Sequence, residues 1–296
     1  MLEVGSLYFR NCTVNLEKVN RSLNSKIPCI SGLKDTKLDA EGCKLAGGRD
    51  VGNVLTSGIL MIEPKEVCIK EWNLTHHKGG AILLHLDKDT YWKVENNDIK
   101  ICETAAIYII GEDSCPKVKY NLVKFCIAPA IKIGANVHGV VIGNQLISNQ
   151  VGVILIDNKT TVKDNTIDKS HDNGIKIEWI GKEHIWNPDI QDNKVSGSKF
   201  NGILISGDRA HPKIMKNTVE NNKKCGIKLE DNSEADIIDS NVVIKNYNQG
   251  ILIVEGCCAR ITDNEIGKNL KANIAYGGEN SQKTRVESNE VEGSVA

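Results

Sequence analysis

Two carboxylates in matching strings, Ile175-Lys176-Ile177-Glu178 and Ile227-Lys228-Leu229-Glu230, are the strongest candidates for acid–base chemistry. A pair of this kind can cut a glycosidic bond if one carboxyl holds a proton while the other is ionised. The neighbours argue otherwise. Lys176 and Lys228 would hold both carboxylates ionised, which suits plain surface ion pairing better than a general acid. Ser170-His171-Asp172 carries the residue types of a nucleophile triad, but adjacent residues cannot face one another in that geometry. The seven histidines, His76, His77, His85, His138, His171, His184 and His211, show no metal-ligand spacing on one strand. No metal and no cofactor is therefore expected, and no catalytic residue is assigned.

Aromatic residues give a second kind of chemistry, recognition. Two stretches exceed their equivalents elsewhere in the chain: His85–Trp92 (HLDKDTYW) and Glu178–Asp189 (EWIGKEHIWNPD). They hold three of the four tryptophans, Trp92, Trp179 and Trp186. With Tyr91 they would wall a shallow floor made by Tyr108, Lys132 and Ile154, forming a groove for a partner. The competing reading has the tryptophans fold back over the body of the protein.

What positions these residues is a repeat. Nine asparagines fall in register: Asn97, Asn121, Asn144, Asn165, Asn193, Asn217, Asn241, Asn264 and Asn289. The intervals are 24, 23, 21, 28, 24, 24, 23 and 25 residues. An apolar residue stands three before each (Val94 through Ile238 to Val286) and another two after each. About nine residues on, a small residue opens an alternating strand, as in Gly174-Ile175-Lys176-Ile177. Alternation means strands with one buried face, and no helical stripe of useful length appears. Three short strands in about 24 residues, repeated coil upon coil, predict an all-β right-handed parallel β-helix. The asparagines read as corner residues, tolerant of left-handed backbone and able to hydrogen-bond from coil to coil. A second ladder is expected five residues on: Asn149, Ser170, Ser198, Asn222, Asn246 and Asn269, with Cys102 and Cys126 before them.

One solenoid domain is expected over residues 1–296, with 1–35 least regular and read as an N-terminal cap. In the coil, the strand after the small residue presents two outward rows. One runs Leu83, Tyr108, Lys132, Ile154, Lys176, Leu204 and Lys228; the other runs His85, Ile110, Gly134, Ile156, Glu178, Ser206 and Glu230. Strands about 4.8 Å apart set Glu178 and Glu230 roughly 10 Å apart, at or beyond the limit for an inverting acid/base pair.

Composition narrows the function classes. Apolar content is 40%, charge 25% and formal net charge −1, which suits a folded chain and argues against a nucleic-acid partner. No apolar run approaches the ~18–20 residues that span a bilayer, and MLEVGSLYFRNCTV does not read as a signal peptide. Ten cysteines without a CxxC pair read as free thiols of a reducing, cytoplasmic compartment.

The frame V-x-x-N-x-I…G-I-x-I, seen as VKDNTIDKSHDNGIKI and IMKNTVENNKKCGIKL, resembles the parallel β-helix repeats of the carbohydrate-binding and sugar-hydrolase superfamily. Within it the repeats look most like the intracellular branch found in F-box-only and Shc SH2-domain-binding proteins. The resemblance covers roughly residues 36–296 and implies fold more than activity. The Asn-Thr-Asp, paired-Asp, Gly-His-Gly and Arg-Ile-Lys series of pectin-degrading members is absent. The expectation is a non-catalytic cytoplasmic scaffold for protein partners, within a cytoskeletal or other large assembly. It carries capping or self-association at an open solenoid end. The alternative is a carbohydrate-binding or carbohydrate-active protein.

Overall fold

The computed structural model describes residues 6–11, 13–15, 30–32, 37–46, 58–77, 79–86, 91–181, 187–208, 210–277 and 283–292. By Cα packing the chain divides into two compact units, Met1–Gln150 and Val151–Ala296. Each is built from three parallel sheets to which every coil gives one short strand, as expected from the repeat. No α-helix occurs among the described residues.

In the first unit, the first sheet runs from Ser6–Arg10 to Val140–Ile142 and the second from Thr13–Asn15 to Gln145–Ile147. The third holds Ile30–Gly32, Ile59–Ile62, Ile82–Leu86, Ile107–Gly111 and Ile131–Ile133. In the second unit, the first sheet runs from Thr161–Lys163 to Arg285–Glu287 and the second from Thr166–Asp168 to Glu290–Glu292. Its third runs from Val153–Ile156 to Ile274–Tyr276. The N-terminal cap expected over residues 1–35 falls mostly outside the described residues. Its described parts, Ser6–Arg10, Thr13–Asn15 and Ile30–Gly32, are strands of the three sheets. The chain ends, at which capping was expected, include residues 1–5 and 293–296, also outside that set.

Strand alternation fills the interior. In the third sheet Ile82, Leu84, Ile107, Ile109, Ile131 and Ile133 all point inward and are buried. Each such side chain contributes roughly 1.5–3 kcal/mol through burial. At Gly174 the next coil comes too close for a side chain: a Cβ would lie 2.3 Å from Val195 Cγ1 and 2.7 Å from the Gly202 carbonyl.

The asparagines hydrogen-bond from coil to coil as expected, but they do not take the left-handed backbone that their type suggested. The left-handed residue of the corner is the one before each asparagine: Asn96, Tyr120, Asp164, Asp192, Lys216 and Asp263 all have φ between 54 and 58°. That bend turns the following side chain inward, where it serves as a buried hydrogen-bonding group. In the first unit Asn97 Nδ2 donates to the Ile69 carbonyl (3.1 Å) and to Asn121 Oδ1 (2.8 Å). Asn121 does the same with Val94 O and Asn144 Oδ1. The second unit repeats the pattern from Asn193 through Asn217, Asn241 and Asn264 to Asn289. Carbonyls that the sheet leaves unpaired at each bend are thereby satisfied.

One register differs from the repeat as read. Ile214 pairs with Ile237, and not with the Ile238 that the spacing to Asn241 selects. The extra residue is absorbed at the corner, where Asp239 and Ser240 both take positive φ, and Ile237 and Ile238 are both buried.

Candidate functional site

The site grows from the third sheet of the first unit. Alternation in Ile82–Leu86, Ile107–Gly111 and Ile131–Ile133 sends Leu83, Tyr108 and Lys132 outward, aligned on neighbouring strands. Lys132 Nζ lies 4.9 Å from the Tyr108 ring centroid, a cation–π contact that holds ring and ammonium together. Two residues further along each strand stand His85, exposed, and Ile110, half-buried, themselves paired in register.

Beyond the strand ends the chain must turn, and the turns open a cleft. Glu63 takes a left-handed conformation (φ 45°) with its N–H donated to the His85 carbonyl at 2.8 Å. Gly111 at φ 151° runs so close to the preceding coil that a Cβ would lie 2.3 Å from the Leu86 carbonyl. Asn136 (φ 58°) accepts the Asp113 N–H on its carbonyl at 2.8 Å. The resulting cleft, of about 430 Å³, is lined by Glu63, His85, Leu86, Ile110, Gly111, Glu112, Ala135 and Asn136. It crosses four successive coils, roughly 14 Å at about 4.8 Å per strand. Its polar groups are two carboxylates, an imidazole and an amide, over an apolar floor of Leu86 and Ile110. Such a surface can hydrogen-bond hydroxyls. Among the described residues no three His, Cys, Asp or Glu side chains are placed to share a metal ion.

Of the residues expected to form a groove, Tyr108 and Lys132 lie on this face. Ile154 is half-exposed on the outer face of the third sheet in the second unit. Of the three tryptophans expected in the groove, the two that are described, Trp92 and Trp179, are turned inward. Trp92, in strand Tyr91–Glu95, is 1% exposed and faces the interior with Val94, two residues on. Trp179 is 9% exposed, its backbone pressed against Gly207, where φ is 108° and a Cβ would lie 2.5 Å from the Trp179 carbonyl. Both rings therefore serve packing, the competing reading for them. Tyr91 begins the same strand as Trp92; its side chain, and Trp186 altogether, lie outside the described residues. Glu63 and Glu112 were not among the expected residues. The available signal was positional: each immediately follows an alternating strand, Ile59–Ile62 or Ile107–Gly111, where a corner residue must face solvent.

In the second unit, Glu178 and Glu230 occupy the outer face with Ser206 between them. Each is locked to the lysine two residues before it, Lys176–Glu178 and Lys228–Glu230, both at 2.5 Å. Asp157 closes the turn after Glu178, its two oxygens accepting the N–H groups of Ile180 (2.8 Å) and Gly181 (3.0 Å).

With fold and face defined, comparison with known proteins places the chain. The profile of the right-handed β-helix region family matches residues 6–160 and 151–296, and the chain belongs to that family. No curated protein matches it. Among solved structures it is similar to the periplasmic alginate epimerase AlgG, with 15% identity and a TM-score of 0.58 over 95% of this chain and 83% of that one. It is also similar to a mutant tailspike protein of E. coli bacteriophage HK620 in complex with pentasaccharide. There the identity is 10% and the TM-score 0.50, over 79% of this chain and 53% of the tailspike. At these identities the likeness is one of fold.

These findings correct two expectations. The solved relatives are a periplasmic epimerase and a tailspike holding a saccharide, which overturns the reading as a cytoplasmic interaction scaffold. The thiols that suggested a reducing compartment have a packing explanation instead. Cys43, Cys102, Cys126, Cys225 and Cys257 are buried in the coils as small apolar side chains. Cys102 and Cys126 stack at the second ladder position, where the Cys102 thiol, hydrogen-bonded to Cys126 and buried, is held well above the ordinary thiol pKa. Free thiols of this kind say nothing about compartment.

Proposed function

We propose that the protein is a carbohydrate-binding β-helix protein whose saccharide lies on the third-sheet face of the first unit. The observation that carries the reading is the joining of an aromatic–lysine pair, Tyr108 and Lys132, to a polar cleft of about 430 Å³ on the same strands. A sugar presents an apolar ring face and a rim of hydroxyls. Tyr108 offers the complementary ring, and Glu63, His85, Glu112 and Asn136 offer hydrogen-bond partners along the cleft. That both solved relatives named above involve saccharides supports the choice of ligand.

A second reading, carbohydrate-active, is favoured by the side chains inside the cleft. Glu63, Glu112 and His85 are the types that supply general acid and base to reactions on sugars. Incubation with uronic and neutral polysaccharides, with and without calcium, tests both. Binding without turnover supports the first reading, and turnover abolished by His85→Ala supports the second. An unmodified panel to which the protein shows no affinity refutes both.

A further inference from the structure

The corner that follows the second sheet in the second unit has a composition unlike the rest of the chain. In five successive coils it comprises residues 169–172, 197–200, 221–224, 245–248 and 268–271. These segments hold seven lysines and one carboxylate, Asp172, whereas the whole chain has a formal net charge of −1. Charge has been segregated onto one edge.

The edge also carries apolar surface. Phe200 is 42% exposed, Tyr247 48% and Leu270 76%. Lysines bracket the two rings, with Lys223 Nζ 3.8 Å from the Tyr247 centroid and Lys224 Nζ 4.5 Å from that of Phe200. Two corner lysines are engaged by acids, Lys169 with Asp168 (3.6 Å) and Lys268 with Glu292 (3.4 Å). Among the described residues, Lys199, Lys223, Lys224 and Lys271 have no carboxylate within 4.0 Å. The Asp172 carboxylate is occupied by Asn173 Nδ2 at 2.9 Å.

The backbone beneath is fixed. Asn222 and Asn246 lie inside the corner, their N–H groups donated to Asn246 Oδ1 (3.1 Å) and Asn269 Oδ1 (2.9 Å). Outside them, each coil is tied to the one before: Lys223 N–H to Ser198 O (2.8 Å), Tyr247 N–H to Asn222 O (2.9 Å), Leu270 N–H to Asn246 O (2.9 Å). The cations and rings are thus held at the coil repeat, about 4.8 Å per step. A line of regularly spaced cations interleaved with rings fits a polymer that alternates anions with apolar faces.

We infer that this lysine–aromatic corner is a second saccharide-binding surface, selective for an acidic polysaccharide bearing one carboxylate on each sugar ring. Uronate carboxylates pair with the lysines that lack an acidic partner, Lys199, Lys223, Lys224 and Lys271, and the sugars lie along the apolar surface of Phe200, Tyr247 and Leu270. The inference rests on the carbohydrate reading and extends it to a separate surface with a defined ligand charge.

Binding of the full chain to a uronate oligosaccharide and to a neutral one, at low and high salt, tests it. The variants are the triple Lys223→Ala/Lys224→Ala/Lys271→Ala, the single Tyr247→Ala, and Tyr108→Ala on the first-unit face. All the substituted corner side chains are exposed, and circular dichroism checks that the fold is kept. The triple variant is expected to bind uronate about tenfold more weakly, as three exposed charge contacts together would give. Its affinity for the neutral sugar should be unchanged, and the uronate difference should shrink at high salt. Tyr247→Ala should also weaken uronate binding.

Uronate affinity untouched by the triple variant but lowered by Tyr108→Ala overturns the corner site and leaves the first-unit reading standing. Absence of binding to either sugar overturns both. A single-stranded oligonucleotide that binds more tightly than uronate and depends on the same lysines overturns the choice of ligand.

Discussion

Truncating one rung of the asparagine ladder should cost several kcal/mol, and the structure says where the cost arises. Asn217 is 0% exposed. Its Nδ2 donates to Ile190 O (2.8 Å), Met215 O (3.0 Å) and Asn241 Oδ1 (3.0 Å). Its Oδ1 accepts the Asn193 backbone N–H (3.0 Å) and Asn193 Nδ2 (2.9 Å). In Asn217→Ala, Asn241 Oδ1 keeps the Asn217 backbone N–H, and Asn193 Nδ2 keeps its bond to Val162 O. Left in the interior without these partners are the Asn193 N–H, the second Asn193 amide hydrogen and the Ile190 carbonyl. Each stranded group costs about 1–3 kcal/mol, so the total loss from the three should be roughly 3–9 kcal/mol. Asn289 makes equivalent bonds, to Ile261 O (2.8 Å) and from Asn264 (3.0 Å), but is half-exposed. Water can take over its role, and Asn289→Ala should cost only about 1 kcal/mol. Urea unfolding followed by far-UV circular dichroism measures both. A loss below about 1 kcal/mol for Asn217→Ala, or equal losses at the two positions, would refute the idea that buried polar satisfaction is what the ladder provides.

Other consequences are open to direct measurement. Gly207→Ala should destabilise by about 2–4 kcal/mol, because φ is 108° and the new Cβ would meet fixed backbone at Trp179. Gly181→Ala, whose nearest neighbour would be Asp157 Oδ2 at 3.3 Å, should change thermal unfolding little. Burial, and then the Glu234 charge, push the Cys258 thiol up to about 11 from an ordinary 9.0. At pH 9 the folded chain should therefore alkylate at Cys258 about fiftyfold more slowly than the unfolded chain, for lack of thiolate. Glu234→Gln should raise that rate. The same shift has a stability sign: between pH 9 and 11 the folded state keeps a proton that the unfolded state loses, so stability should fall as pH rises through that window. Equal alkylation rates for folded and unfolded chain would contradict this placement of Cys258.

The repeat made the coil legible because each turn must bury the same apolar slots and satisfy the same bend. It did not reveal which residue bends. The left-handed position before each rung is filled by Asn96, Tyr120, Asp164, Lys216 or Ser288, types with nothing in common, since an exposed corner residue is constrained by backbone alone. For the same reason the extra residue at Asp239-Ser240 left no trace in the spacing of Ile238 and Asn241. Tyr108 and Lys132 were readable from alternation. Trp92 was readable in the same way, two residues before Val94, but its place in a long connection suggested a loop where the chain forms a strand. The cleft residues Glu63 and Glu112 stand just past strand ends, where period-two patterning stops, and three-dimensional turn geometry alone brings them to His85.

The placement of saccharide on the first-unit face is tested most directly by hydroxyl-radical footprinting of the full chain, with and without a bound oligosaccharide. Protection of Tyr108 and His85 on saturation, with the His85 protection lost in a Tyr108→Ala variant that no longer binds, is the expected result. A bound oligosaccharide that leaves Tyr108 and His85 as reactive as in the free protein would contradict it.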